Sequence, residues 1–133
     1  MYQSCDTLLL VRPSQFSFNR ETALSNNFQK QLRLSNANAL AAAEFEHVLS
    51  LLSRENIGTF VFDDIPKDQT PDAIFPNNWV SFHENGTIVL YPMEAPNRRR
   101  ERRMDIIEKI CDLNGIIKPD LLDLTKFKKI GQF

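Results

Sequence analysis

Two stretches of this chain hold side chains suited to gripping flat, nitrogen-bearing groups. The first is "PDAIFPNNWVSFH", residues 71–83, where Pro71 and Pro76 fix two backbone angles and Asn77 and Asn78 follow the aromatic Phe75. An asparagine amide offers one acceptor and two donors, which matches a neutral group with both N–H and C=O, such as a ureido or an amide. It matches a guanidinium less well than a carboxylate does, because it adds no charge to the hydrogen bond. On this reading Phe75 presents one ring wall of a pocket and Asn78, where loop becomes strand, aims its amide at a ligand. Asn77 either joins it or satisfies the turn. The plainer reading is a well-made loop, with Phe75 plugging the core and Asp72 and the asparagines bonded to nearby backbone amides.

The second stretch is "NRRRERR", residues 97–103, which crowds Arg98, Arg99, Arg100, Arg102 and Arg103 into the start of an expected helix. Positive charge there opposes the helix dipole, and the arginines repel one another, so helix stability gives no reason for them. Glu101 is expected to offset little of that charge. Either the arginines pair with surface acids such as Asp63 and Asp64, or one of them, Arg98 or Arg99, forks onto a substrate carboxylate.

A nucleophile is harder to find. Cys5 lies at the start of the first apolar run, and Cys111 lies beside the apolar stripe of a helix, where cysteine acts as a small hydrophobe. His47 falls on a polar helix face, and His83 ends "WVSFH" at a hairpin. Neither cysteine has an identifiable electropositive environment or a partnered histidine, so no catalytic residue is assigned, and the spacing suggests no metal site.

The elements that must position these residues are those of one small α/β domain spanning residues 1–133. Sixteen basic and seventeen acidic residues give a net charge of -1, which leaves no general attraction for nucleic acid. No apolar run is long enough to cross a membrane, and a cytoplasmic protein with reduced thiols is expected. "TLLLVRP" reads as a buried strand stopped by Pro13, followed by a polar loop over 14–36 with a helical turn around "ETALSNNF". A helix is expected over 38–54, with Phe45, Val48, Leu49 and Leu52 on its inner face, and "TFVF" is the next strand. "WVSFH" and "TIVLYPM" form a hairpin around "ENG". A second helix is expected over 98–114, capped by Asn97 and stopped by Gly115, with Arg103, Ile106, Ile107, Ile110 and Leu113 inward. "GIIKP" is read as a short strand and residues 120–133 as a polar-edged tail.

These pieces repeat. "TLLLVRP", loop, helix and "GTFVF" are followed in the same order by "TIVLYPM", loop, helix and "GIIKP", with the "WVSFH" strand between. Modules this small cannot bury their own apolar faces, so open edges are expected.

"LLVRPSQFSFNRETALSNNFQ", "PDAIFPNNWVSFH" and "LYPMEAPNRRRERR" together resemble the N-terminal part of the arginine-deiminase-related, citrulline-hydrolase-like branch of the guanidino-group modifying enzymes, the amidinotransferase or pentein superfamily. The resemblance implies a partial α/β propeller, about two strand-strand-helix-strand modules of the five in complete relatives. It implies attack by a cysteine on a guanidino or ureido carbon, with no cofactor. By the same resemblance Phe75 lines the guanidino pocket, and Asn78 stands where many relatives carry an aspartate. Arg98 or Arg99 matches the basic segment that meets the substrate carboxylate, and Arg12 supports the pocket floor. Relatives carry their nucleophile, catalytic histidine and a catalytic glutamate beyond the matched region, so neither cysteine nor His83 corresponds to them.

The expectation is therefore the N-terminal portion of a cysteine-dependent hydrolase that is inactive as this chain. Its small-molecule partner would be a guanidino or ureido amino acid, bound once the missing region completes the site. The alternative is a truncated relative that serves as a binding or homo-oligomeric module through its open edges.

Overall fold

Parallel strands cannot be joined by a tight turn, so each parallel pair needs a crossover, and the sequence supplies a helix for each. The computed structural model describes residues 5–23 and 35–127. Most of the helical turn expected around "ETALSNNF" and the end of the tail lie outside the described residues. The chain divides into two compact units, Met1–Phe75 and Pro76–Phe133.

In the first unit β1 (Thr7–Arg12) runs parallel to β2 (Gly58–Asp63), in register from Thr7 opposite Gly58 to Arg12 opposite Asp63. The crossover is α1 (Ala37–Arg54), whose run of alanines favours helix. It ends on Asn56 at φ 56°, with Asn56 N–H donating to Ser53 O and Ile57 N–H to Leu52 O at 3.0 Å. That pair of bonds is a Schellman stop, with asparagine in the left-handed position. The expected inner stripe of α1 is only partly covered, since no α1 residue is fully buried and Val48 is exposed.

In the second unit a 3₁₀ turn over Pro76–Asn78 leads into β3 (Val80–Phe82). β3 pairs antiparallel with β4 (Thr87–Leu90), and Gly86 takes φ 84° in the turn between them, a conformation that favours glycine. β4 runs parallel to β5 (Asp120–Asp123), giving the order β3-β4-β5. Between β4 and β5 stand the short α2 (Pro96–Arg99) and α3 (Met104–Leu113). Trp79 just ahead of β3, Val80, Ile88, Val89 and Leu90 from the sheet, and Ile106, Ile107, Ile110 and Cys111 from α3 are among this unit's buried side chains.

Four sequence expectations need correction. The single helix over 98–114 is two helices: the backbone of Arg103 is extended at φ -120°, ψ 102°, and α3 restarts at Met104. A continuous helix would have stacked the arginines on adjacent turns. Asn97 does not cap it; Pro96 opens α2 after Ala95, where its missing N–H costs nothing, and Asn97 is buried inside the turn. Leu113, expected inward, is exposed at the end of α3.

The fourth correction concerns "GIIKP", which is not a strand. Gly115, at φ 67°, donates to Asp112 O while Ile116 N–H donates to Cys111 O at 2.8 Å, a second Schellman stop. The strand begins only after Pro119, which has no N–H to give a ladder.

Candidate functional site

The segment over residues 71–83 is built to deliver Trp79 inward and Asn78 outward. Pro76 opens the 3₁₀ turn, Trp79 N–H closes it onto Pro76 O at 3.0 Å, and Trp79 is 1% exposed. The plain reading gave the plugging role to Phe75. Phe75 is instead 43% exposed, and its N–H donates to Asp72 O at 3.1 Å within the first unit. Asn77 and Asn78 are both exposed in the second unit.

The structure brings two of the named residues together. Arg98 Nη2 donates to Asn78 Oδ1 at 2.9 Å. The same guanidinium is seated on Glu101: Nε donates to its two oxygens at 3.0 and 3.2 Å, and Nη2 to Oε2 at 2.9 Å. Glu101 was expected to matter little, yet its side chain is 1% exposed against 15% for Arg98, which makes the pair a buried one.

Arg99 is exposed and tethered differently, its Nε donating to Met93 O and its Nη2 to Glu94 O, both at 2.8 Å. These bonds tie α2 back to the loop after β4. Arg103 pairs with Asp105, and hydrogen bonds from Arg103 hold the Asp105 carboxyl below its ordinary range. The arginine cluster is thus shared among local anchors.

In the first unit Arg12 joins β1 to its neighbours. It donates to Glu46 of α1 and to Asp63 of β2, and its guanidinium lies 5.7 Å from the centre of the Phe45 ring. Sequence reasoning missed a buried polar group there. Asn19 Nδ2 donates to Asp72 Oδ2 at 2.7 Å, and both residues are buried. Asp64, also buried, accepts from Ser14 and from Thr70 at 2.8 Å. The signal available was an aspartate after Pro71 in a turn-rich segment, a pattern that surface turns share.

Cys111 is buried on α3, and burial first and Asp112 second push its thiol up, which disfavours the thiolate a nucleophile requires. Cys5 is exposed beside β1. His83 meets Ser81 Oγ through Nε2 at 2.9 Å, and Ser81 Oγ lies 2.9 Å from the Tyr91 hydroxyl. Among the described residues no group of three His, Cys, Asp or Glu is placed to hold a metal ion. Nor is any described helix long and apolar enough to cross a membrane.

Repeated strand-helix-strand units, the second of them preceded by a hairpin strand, form an incomplete α/β architecture consistent with a partial pentein fold and not a closed propeller. A family match places the chain in the guanidino-modifying superfamily, whose enzymes are cysteine-dependent and act on guanidino or ureido groups. The family described as "N,N dimethylarginine dimethylhydrolase, eukaryotic" matches residues 12–133, and the chain belongs to it. No curated protein matches the chain.

Proposed function

We propose that this chain supplies part of the substrate-binding wall of a cysteine-dependent hydrolase acting on a ureido or guanidino amino acid of the citrulline or arginine type. The observation that carries the reading is the exposed Asn78 amide held at 2.9 Å by Arg98, in a chain matched to its family over residues 12–133. Asn78 contacts the ureido or guanidino end, with Asn77 beside it in sequence. Of the two arginines first considered for the substrate carboxylate, Arg99 fits better, because it is exposed while Arg98 is committed to Glu101.

The matched family is named for dimethylarginine, a methylated guanidinium cation. A neutral asparagine at position 78 favours a neutral ureido partner. The nucleophile is not assigned to either cysteine: Cys111 is buried with its thiol pushed up, and Cys5 has no assigned imidazole partner. Titrating the labelled full chain with L-citrulline should move the backbone and side-chain NMR signals of Asn78 and Arg99 saturably. Neither ammonia nor amine should be released from citrulline or dimethylarginine by this chain. Turnover, or signals unmoved by any of these ligands, would contradict the proposal.

A second reading is favoured by β5. All four of its residues are exposed, Leu121 and Leu122 among them, and it pairs on one side only among the described residues. Such an edge suits pairing with a second copy. Sedimentation that stays monomeric across a wide concentration range would remove this reading.

A further inference from the structure

An arginine side chain carries donors and no acceptor. The Asn78 atom bonded to Arg98 Nη2 at 2.9 Å is therefore the amide oxygen, which leaves the two N–H donors of Asn78 facing elsewhere. Turning the amide over would set NH₂ against a donor and cost that bond. Arg98 cannot swing aside to allow it, because Glu101 holds it through both Nε and Nη2, and that carboxylate is 1% exposed.

We infer that Arg98, seated on Glu101, is a positioning residue that locks the exposed Asn78 amide with its donors outward, so that this position selects a ureido oxygen over a guanidinium. A ureido group has an oxygen to accept there, whereas a guanidinium only donates. The inference deepens the proposed function and rests on Asn78 being a ligand contact. It assigns Arg98 to the amide and not to a substrate carboxylate. The orientation is a property of the unliganded chain and can be tested without any ligand.

The test uses the full chain as wild type, Arg98→Lys, Asn78→Asp, and a double variant, Arg98→Met with Glu101→Leu, which removes both partners of the ion pair together. The first readout is the side-chain amide NMR signal of Asn78, identified by its loss in Asn78→Asp. Arg98→Lys should keep it near its wild-type position, and the double variant should move it to the position of a freely rotating exposed asparagine. The second readout is calorimetric titration with L-citrulline and L-arginine. Wild type and Arg98→Lys should prefer citrulline by roughly tenfold, the worth of one good hydrogen bond. The double variant should bring the ratio near one, and Asn78→Asp, which can only accept, should reverse it even if the double variant fails to fold. An Asn78 signal unmoved in the double variant overturns the lock. A ratio unchanged in the double variant or in Asn78→Asp overturns the selectivity. If the signal moves as expected but neither amino acid binds, the lock stands, while the ligand reading and its selectivity are overturned.

Discussion

A carboxylate that is 1% exposed keeps its charge only when a cation is held against it, and Glu101 has Arg98. Glu101→Ala should therefore cost about 3 kcal/mol in urea unfolding, because it takes the carboxylate away from a largely buried guanidinium. Replacing both partners with apolar residues should recover most of that loss. An equal loss in the double variant would show that shape, and not charge, sets the cost. Spacing alone did not reveal this pair: an i, i+3 Arg-Glu contact on an exposed helix is worth only a few tenths of a kcal/mol, and burial is not written in the spacing. Asn78 was legible as an exposed polar group where loop becomes strand, but its fixed orientation was not, since that depends on a residue twenty positions away. The cysteines make a separate prediction. With its thiol pushed up by burial, Cys111 should resist a thiol reagent at neutral pH in the folded chain, while Cys5 reacts. Equal rates, read by mass spectrometry, would contradict the burial of α3.

Both crossover helices end in the same way, on a left-handed residue that hands the chain toward a strand. Gly115→Ala should destabilise the fold by about 1 kcal/mol, because alanine at φ 67° carries a steric cost that glycine does not. Thermal unfolding at unchanged stability would argue against that stop. Gly115 was expected to stop the second helix, yet the strands that follow the two stops start at different distances. β2 begins at Gly58, two residues past Asn56, while Ile116 to Pro119 intervene before β5, and a proline is better placed just ahead of a ladder than inside it. The break in the expected 98–114 helix was hidden for another reason. Local periodicity from Ile106 to Ile110 reads the same whether or not the preceding turns are continuous. The start of α3 has its own pH dependence. The Asp105 carboxyl, held below its ordinary 3.8 by Arg103, contributes stability above that value and loses it as pH falls through the lower folded value. Because Asp105 is 60% exposed, the contribution is only a few tenths of a kcal/mol. Asp105→Asn should be slightly less stable than wild type at neutral pH, with the gap closing in acid. A gap that widens in acid would reverse the sign of the argument.

Across the chain the repeat seen in the sequence is a repeat of crossovers: β1, α1, β2 in one unit and β4, α3, β5 in the other, each closing a parallel pair. The first crossover was legible because a parallel pair leaves a simple trace, an apolar strand, an amphipathic helix and a second strand, at any loop length; the second was legible only as far as its helix, since its closing strand is β5 and not "GIIKP". The division at Phe75 was not legible, because the proline-rich segment reads equally as a loop within one unit or as a boundary. The central claim is that Asn78 makes this chain a binder of ureido amino acids. Its most direct test is calorimetric titration of the full chain with L-citrulline, with wild type and Asn78→Leu side by side. Wild type should bind saturably, and binding should weaken about tenfold or more in Asn78→Leu, a variant that changes an exposed side chain and leaves Trp79 in place. No binding by wild type, or equal binding by the two chains, would contradict it.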